Sequence, residues 1–407
     1  MRVPRRKRMD YNAEYVARPS AGLVRNHMRE LLTQSPFDPV RERRLVLFSD
    51  SLPPDFGAVG QYALLRAEAF ARRGHDVNLF GLTSGVGSVV RAACGAGVLT
   101  TTRIPAPGVP RNSLSARLAW TVWTNLRLVC TAWSRLRVAD GILFTGSPPF
   151  LIQFLAPLRL LLLKGRLVYR ITDFHPECLI AARERPSKSL ELLRRLTNFW
   201  RRRVDAFEVL GHDQWRRLRA QGIADERIAL VRDVSPIDLS QRPPAAPLPP
   251  ALEGKVVLLY SGNFGVAHDW TTVAEGYEQH HRSGSGRVHL WLNATGAGAE
   301  QLSDYLSARQ VPFFRSTPVP LSQLPGVLQA ADAHLITLKD AFVGLVMPSK
   351  VYACLDLRAA VVFVGSAESD VDLLIRGAGL PYRRVSCGDA AGFARALESL
   401  EQHGVHG

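Results

Sequence analysis

Three short loops combine glycine with small hydroxyl residues, and one of them adds a lysine, a chemistry that suits phosphate binding. The first is Ser261-Gly262-Asn263-Phe264-Gly265, directly after the apolar run KVVLLY. Its two glycines let the backbone come close to a ligand, and successive amides can point at phosphate oxygens. The second is GLVMPSKVYACL, Gly344 to Leu355. Pro348 suits the first turn of a helix, with Ser349 and Lys350 beside it. Free amides and the positive end of the helix dipole attract anions there, and Lys350 adds a full charge. The third is SDSLPPDFGAVGQ, Ser49 to Gln61, where Gly57 and Gly60 could hold a loop against the ligand from the other side. Taken singly, each loop is equally a plain turn or a helix start with a surface lysine.

The segments that must position these loops alternate strand and helix. LVLFSD reads as a strand, PPDFGAVGQ as a loop, YALLRAEAFARRG as a helix stopped at Gly74, and VNLFGL as the next strand. Strand, glycine loop, helix and strand open a parallel doubly wound sheet. GILFTG, RLVYRITD and AFEVLG continue it. Between Val234 and Gly254 the stretch RPPAAPLPP can neither propagate a helix nor form a central strand, because proline lacks the amide hydrogen and fixes its backbone angle. It reads as an interdomain linker. A second series follows: KVVLLYSGNFG, a helix from about Trp270 to His281, RVHLWLNATG, a helix near Glu300 to Arg309, VPFF, AHLITL and AVVFVG.

The architecture expected is α/β, with two Rossmann-like doubly wound domains facing across a cleft. A basic, flexible extension occupies 1–43 and the N-terminal domain 44–233. The linker covers 234–254 and the C-terminal domain 255–388, and a closing helical segment over 389–407 could cross back to the first domain.

Composition bounds the function. At 407 residues, 46% hydrophobic and 21% charged, the chain is globular and too long for one ordinary domain. Cys94, Cys130, Cys178, Cys354 and Cys387 are scattered, with no CxxC pair, which argues against a disulfide framework or zinc site and suits a reducing cytosol. The opening MRVPRRKRMD lacks the apolar segment of a signal peptide. The net charge of +15 calls for an anionic partner: nucleic acid, an anionic membrane face or a sugar-nucleotide pyrophosphate. No nucleic-acid-binding signature accompanies the charge, so nucleic acid ranks last.

No stretch reaches the roughly 18 to 20 apolar residues needed to span a bilayer. PFLIQFLAPLRLLLLKG is broken by Gln153, Pro157 and Arg159. Upstream, Trp120, Trp123 and Trp133 mix with Arg117, Arg127, Arg135 and Arg137, a combination that suits the lipid headgroup layer. A helix packed on the sheet with its arginines in water is the other reading.

Several motifs together resemble the bacterial family 4 glycosyltransferases of surface-polysaccharide and O-antigen assembly. In the second half they are Leu259-Tyr260-Ser261-Gly262-Asn263-Phe264-Gly265, Gln323-Leu324-Pro325 running to Asp332, Met347-Pro348-Ser349-Lys350-Val351-Tyr352, and Phe363-Val364-Gly365 leading to Glu368-Ser369. In the first half they are PPDFGAVGQ, the turn from Gly146 to Phe150, and Asp173-Phe174-His175-Pro176-Glu177. The resemblance covers roughly Leu45 to Gly388.

It implies the GT-B fold and a retaining transfer of a sugar from a UDP- or GDP-sugar to a lipid-linked acceptor, without a bound metal or other cofactor. It also implies a cytoplasmic protein, peripheral on the anionic inner face of the cell membrane. Gly262, Asn263, Phe264, Gly265, His268, Pro348, Ser349, Lys350, Tyr352 and Glu368 would hold the donor. Asp173 and His175 would lie near the sugar or acceptor, and Gly57, Gly60 and Gln61 would line the cleft. Trp120, Trp123, Arg127 and Trp133 would meet the membrane or acceptor. The triplet Asp370-Val371-Asp372 is expected on a solvated helix face.

Three departures stand out. Ala353 replaces a glutamate that grips the nucleotide ribose in many relatives. Asp356 to Ala360 lack the usual glycine and proline, and Val266 stands where an arginine is common. These leave open a non-catalytic GT-B scaffold that binds a partner or glycan, and a sugar-nucleotide epimerase on the same fold.

Overall fold

Apolar runs too continuous for half-exposed strands become the middles of two sheets. The computed structural model describes residues 36–403, apart from 39, 54, 56–57, 110–113, 147–149, 184, 186, 236, 238 and 240–243. Eight strands make the first sheet: β1 (Arg44–Ser49), β2 (Asp76–Thr83), β3 (Ser88–Cys94), β4 (Gly97–Pro105), β5 (Gly141–Thr145), β6 (Arg166–Ile171), β7 (Ala206–Val209) and β8 (Ile228–Leu230). Their order is β3-β4-β2-β1-β5-β6-β7-β8. β1 pairs in parallel with both β2 and β5, and only the β3–β4 hairpin is antiparallel among the pairings described. Every residue of β5 is buried, as a strand covered on both faces requires. The chain divides into two compact units inside β6, between Val168 and Tyr169.

The second sheet comprises β9 (Val256–Asn263), β10 (Val288–Thr295), β11 (Phe314–Ser316), β12 (Ala333–Thr337), β13 (Ala360–Val364) and β14 (Tyr382–Val385). Its order, β11-β10-β9-β12-β13-β14, is parallel throughout. Strand order reverses between β9 and β12, and in such sheets the crevice beyond those strand ends is where ligands bind.

Helices cover the sheets. In the first unit, α1 (Ala58–Arg72), α2 (Leu114–Leu136) and α3 (Ile152–Leu161) follow β1, β4 and β5. Gly74 closes α1 at φ +105°, a conformation that favours glycine. Further on come α4 (Glu177–Ala181), α5 (Lys188–Arg201), α6 (His212–Ala220), α7 (Thr271–Ser283), α8 (Ala297–Ala308), α9 (Leu324–Gln329), α10 (Lys350–Leu357), α11 (Asp370–Gly377) and α12 (Ala390–His403).

Four expectations change. Phe37, assigned to the flexible extension, is buried edge-on against Phe70, so the extension is anchored at its end. The proline-rich segment is no free linker: Ile237, Leu239 and Leu252 pack with Val257, Leu259 and Trp291 on one face of the second sheet. Proline keeps α-helix and strand out of the segment, leaving a single 3-10 turn at Pro250–Leu252 among its described residues, but its neighbours still bury apolar surface. The last helix does not cross back, because Phe393, Ala396 and Leu397 share the second sheet's other core with Val273 and Tyr277 of α7. Gly60 and Gln61 lie in the first turn of α1 and not in a loop, and a Cβ at Gly60 would fall 2.2 Å from the Ser51 carbonyl oxygen. Gly57 lies outside the described residues.

The turn after α10 has a measurable cost. Arg358 takes φ +52° as the C-terminal cap of that helix, where glycine is the favoured residue. An L-residue loses roughly 1–2 kcal/mol in the left-handed region. Arg358→Gly should therefore raise stability by about 1 kcal/mol, readable as a higher urea midpoint at unchanged m-value. A lower midpoint would show that the arginine side chain supports the turn.

Candidate functional site

The loops leaving β9 and β12 are tied together at the reversal point. The Lys339 amide donates to the Ala267 carbonyl at 2.9 Å, and His268 Nδ1 donates to the Thr337 carbonyl at 2.6 Å. A carbonyl can only accept, so Nδ1 carries the proton and Nε2 is left as an acceptor. Burial, aided by the nearby Lys350 charge, lowers the His268 pKa to about 3 and keeps the ring neutral.

Tyr260 and Phe264 form the floor, both buried and stacked with centroids 4.2 Å apart. Phe264 is thus a core pin and not a contact residue. Its amide donates to the Thr295 carbonyl at 2.7 Å, so that amide cannot serve a phosphate as the loop's spacing led one to expect. Asn263 is exposed at the end of β9. Gly262 takes φ +114°, and a Cβ there would lie 3.6 and 3.7 Å from Cε and Nζ of Lys350.

Lys350 begins α10 and reaches back across this glycine. Its Nζ lies 4.5 Å from the centre of the Tyr260 ring and 3.4 Å from the Asn263 carbonyl oxygen, to which it donates. No carboxylate pairs with it among the described residues; the residue is half-buried, and partial removal from water lowers its pKa to about 8. An ammonium placed this way lacks an anion. Pro348 is buried just before it, and the Ser349 side chain makes no cap hydrogen bond to α10, so its hydroxyl is not committed to the helix.

The second unit also joins the motif at Asp173 to this loop, although some 170 residues separate them. Asp173 bridges antiparallel to Val346, and the Phe174 amide donates to the Leu345 carbonyl at 2.9 Å. Arg217 Nη2 holds the Val343 carbonyl at 3.0 Å from α6. Gly344, at φ +70°, packs so closely on the Asp213 carbonyl that a Cβ would sit 2.9 Å from its oxygen. Asp173 is thereby set beside the turn that leads into Pro348-Ser349-Lys350. Burial lowers the His175 pKa to about 4, which makes its ring neutral near pH 7.

Glu177 of the same motif is structural. Arg201 of α5, itself fully buried, donates to Glu177 Oε1 at 2.5 Å and Oε2 at 3.0 Å, and to the His175 carbonyl at 2.9 Å. Desolvation pushes the Glu177 carboxyl up, but the Arg201 bonds outweigh it and the pKa is lowered. Sequence reasoning missed Arg201. Its one signal was an arginine amid a helix whose apolar residues point elsewhere.

Two further assignments are corrected. Tyr352 is buried and near Asp233 and Arg170, not beside the Tyr260 ring. Positions two apart on a helix face opposite sides, so Lys350 and Tyr352 cannot serve one ligand surface. Asp370 and Asp372 are 0% and 1% exposed, not solvated. Asp370 Oδ1 accepts the His212 amide at 3.0 Å, its other oxygen pairs with Arg232, and its own amide donates to Asp213 Oδ2 at 3.1 Å. The starts of α6 and α11 therefore cap each other. Asp372 accepts from Tyr382 at 2.8 Å and pairs with Arg376 at 2.6 Å. Glu368 is exposed; the loop is held by its backbone, the carbonyl accepting from Arg216 and the amide donating to Ser366 Oγ.

In the first unit, α2 carries the tryptophans. Trp120 is half-buried and donates to the Pro107 carbonyl at 2.8 Å, and Trp133 is also half-buried. Trp123 is exposed, with the Arg127 guanidinium 4.8 Å over its ring and Leu118, Val122 and Leu126 exposed around it. Leu160, Leu161 and Leu162 are exposed at the end of α3. No helix among the described residues is long and apolar enough to cross a membrane.

No known protein-family pattern and no curated protein matches the chain. Solved structures do. The sucrose-phosphate synthase of Thermosynechococcus elongatus is similar at 14% identity and a TM-score of 0.65, covering 88% of this chain and 89% of that one. A trehalose-6-phosphate protein of E. coli bound with UDP-2-fluoro glucose matches at 12% identity and a TM-score of 0.58, over 88% and 91%. The lipopolysaccharide outer core galactosyltransferase WaaB matches at 12% and 0.53, over 89% and 91%. These likenesses establish the GT-B fold, with its two parallel α/β sheets.

Proposed function

We propose that this chain is a retaining glycosyltransferase of the family 4 type. It moves a sugar from a UDP- or GDP-sugar to a lipid-linked acceptor in surface-polysaccharide assembly, at the inner face of the cell membrane. One observation carries the reading: a half-buried ammonium on Lys350 with no carboxylate partner among the described residues, held over Gly262 at the point where the strand order of the second sheet reverses. A diphosphate supplies the charge that is missing. The similarity to a structure bound with a UDP-sugar supports that choice.

On this reading Lys350, Ser349 and the amides at the start of α10 stabilise the departing diphosphate. His268 Nε2, an acceptor, suits a donor hydroxyl better than a phosphate. Asp173 and His175 stand near the sugar or acceptor; neither needs to be a base, since the leaving phosphate oxygen can take the acceptor proton. The exposed face of α2 around Trp123 would meet the headgroup layer.

Incubation with labelled UDP- or GDP-sugars and membrane lipid extract should yield labelled lipid. Failure with all common donors would overturn the catalytic reading. A scaffold remains the second reading, favoured by the exposed Val266 where an arginine would add a second charge. It takes over if neither UDP nor GDP raises the melting temperature.

Nucleotide affinity should also depend on pH in a defined direction. The anion binds the ammonium form, so it raises the Lys350 pKa above its free value of about 8. Below that value binding needs no proton; above it, binding must take one up. Affinity for UDP should hold near pH 7 and then fall, approaching about tenfold per pH unit toward pH 9, which calorimetry can follow. A flat profile would place the diphosphate elsewhere.

A further inference from the structure

Helix α5 carries apolar residues on both faces. Leu190, Leu193 and Trp200 are half-buried, and the two residues it buries fully, Thr197 and Arg201, are polar. Its outward face, at helical spacing, is Lys188, Leu192, Arg195, Leu196 and Phe199, and Arg202 and Arg203 are exposed in the turn that ends it. Leu192 is 69% exposed, Leu196 45% and Phe199 44%. These three stand at i, i+4 and i+7, one continuous apolar stripe. Leu179 of the neighbouring α4 is exposed as well. A helix that serves only its own core puts such residues inward.

The charges around the stripe are of one sign. Lys188, Arg195, Arg202 and Arg203 flank it, and Arg183 and Arg185 are exposed just before the helix. Glu191, the sole acid of α5, is taken by Arg194 at 2.6 Å and Arg195 at 3.4 Å. The Arg203 guanidinium lies 3.5 Å over the Phe199 ring centre, so charge and apolar surface meet at one level. Leucine and phenylalanine flanked by arginines that can reach outward is the pattern of a helix lying in a lipid interface.

We propose that the outward face of α5 docks on an anionic lipid bilayer, its apolar stripe entering the headgroup boundary and its arginines pairing with lipid phosphates. This contact is separate from the α2 face and does not depend on the assigned reaction. Its consequence does rest on the proposed function: Arg201, on the inner side of the same helix, holds the His175 carbonyl and Glu177. Seating α5 on the bilayer therefore sets the segment from Asp173 to Glu177 at a fixed height over the plane that supplies a lipid-linked acceptor.

The test is sedimentation of the full chain with phosphatidylcholine vesicles, with and without phosphatidylglycerol. The parent should partition onto the anionic vesicles. Leu192→Ser/Phe199→Ser should weaken that partitioning at least about tenfold, from the apolar surface no longer buried. Arg195→Gln/Arg202→Gln/Arg203→Gln should weaken it comparably and flatten its salt dependence. These side chains are exposed, so both variants should keep the parent's melting temperature and its shift with UDP. A Leu192→Trp variant should show fluorescence quenched by brominated anionic lipid. Unchanged partitioning of the serine variant, or no quenching at position 192, overturns the proposal. So does a parent that ignores vesicles but forms a dimer that the serine variant loses, since the face would then be a contact between copies. A missing UDP shift in the parent, with vesicle binding intact, would count against the donor site alone.

Discussion

Lys350→Met should cost most of the nucleotide affinity while making the empty protein more stable. Methionine keeps the length and apolar stem of lysine but drops the charge. The lost interaction is a hydrogen bond between an ammonium and a diphosphate, worth about 2–3 kcal/mol, or roughly 30- to 150-fold in Kd. Stability moves the other way. The Lys350 pKa in the folded chain, about 8, is below the roughly 10.4 of an unfolded lysine. A cation with a depressed folded pKa destabilises the fold fully below the folded value. The penalty fades as pH rises from the folded toward the unfolded value. At pH 7 the penalty is present in the parent and absent in the variant, so the variant should melt higher. Above about pH 10 the two should converge. A variant that bound UDP normally would sink the placement of the diphosphate; one that melted lower would show that the ammonium holds the Asn263 carbonyl for structural reasons.

Arg201→Met should have the largest effect on folding. It leaves Glu177 buried without the guanidinium that is hydrogen-bonded to both its oxygens, and it frees the His175 carbonyl. Breaking a buried pair from one side costs about 3–5 kcal/mol. The pH dependence gives the mechanism away. In the parent, the Glu177 pKa is lowered, so its contribution is present above the unfolded carboxyl value and lost as pH falls through the folded one. In the variant burial, the largest influence, opposes only a backbone hydrogen bond and the Arg194 charge, so that pKa should rise and protonation should relieve the strain. The gap between parent and variant should narrow as pH drops from 7 toward about 4.5. Glu177→Leu added to Arg201→Met should recover much of the loss, because no charge is then stranded. Urea melts at two pH values check all three statements. A gap constant with pH would mean that Arg201 acts through packing and not charge.

The two effects differ in how visible they were. The place of Lys350 at a helix start was legible because its surroundings are local: a proline before the helix, a serine, a lysine, and a glycine loop that ends a strand. Each of those residue types has a backbone reason for its place. Arg201 was not legible, because an arginine in RRLTNFWRRR looks the same whether it meets water or a carboxylate 24 positions earlier. Asp370 and Asp372 misled for the same reason. Two acids at a helix start read as a solvated first turn until Arg232, His212 and Tyr382 close over them. Tyr352 failed on geometry that was available in advance, since two steps along a helix reverse the face.

From its sequence alone the chain determined that there are strands, which kind of sheet they make, and where glycine and proline shape the phosphate-sized loops. Those properties follow from backbone torsion and from apolar periodicity, and both are written into neighbouring residues. Tertiary structure alone decided which side chains those loops keep free. Phe264 lost its amide to Thr295, His268 lost one nitrogen to Thr337, and Lys350 found no acid among the described residues. It alone brought Asp173 beside Val346 and turned the apolar stripe of α5 outward. Partnership across the chain depends on distances in space, and residues far apart in sequence carry no local mark of whom they will meet.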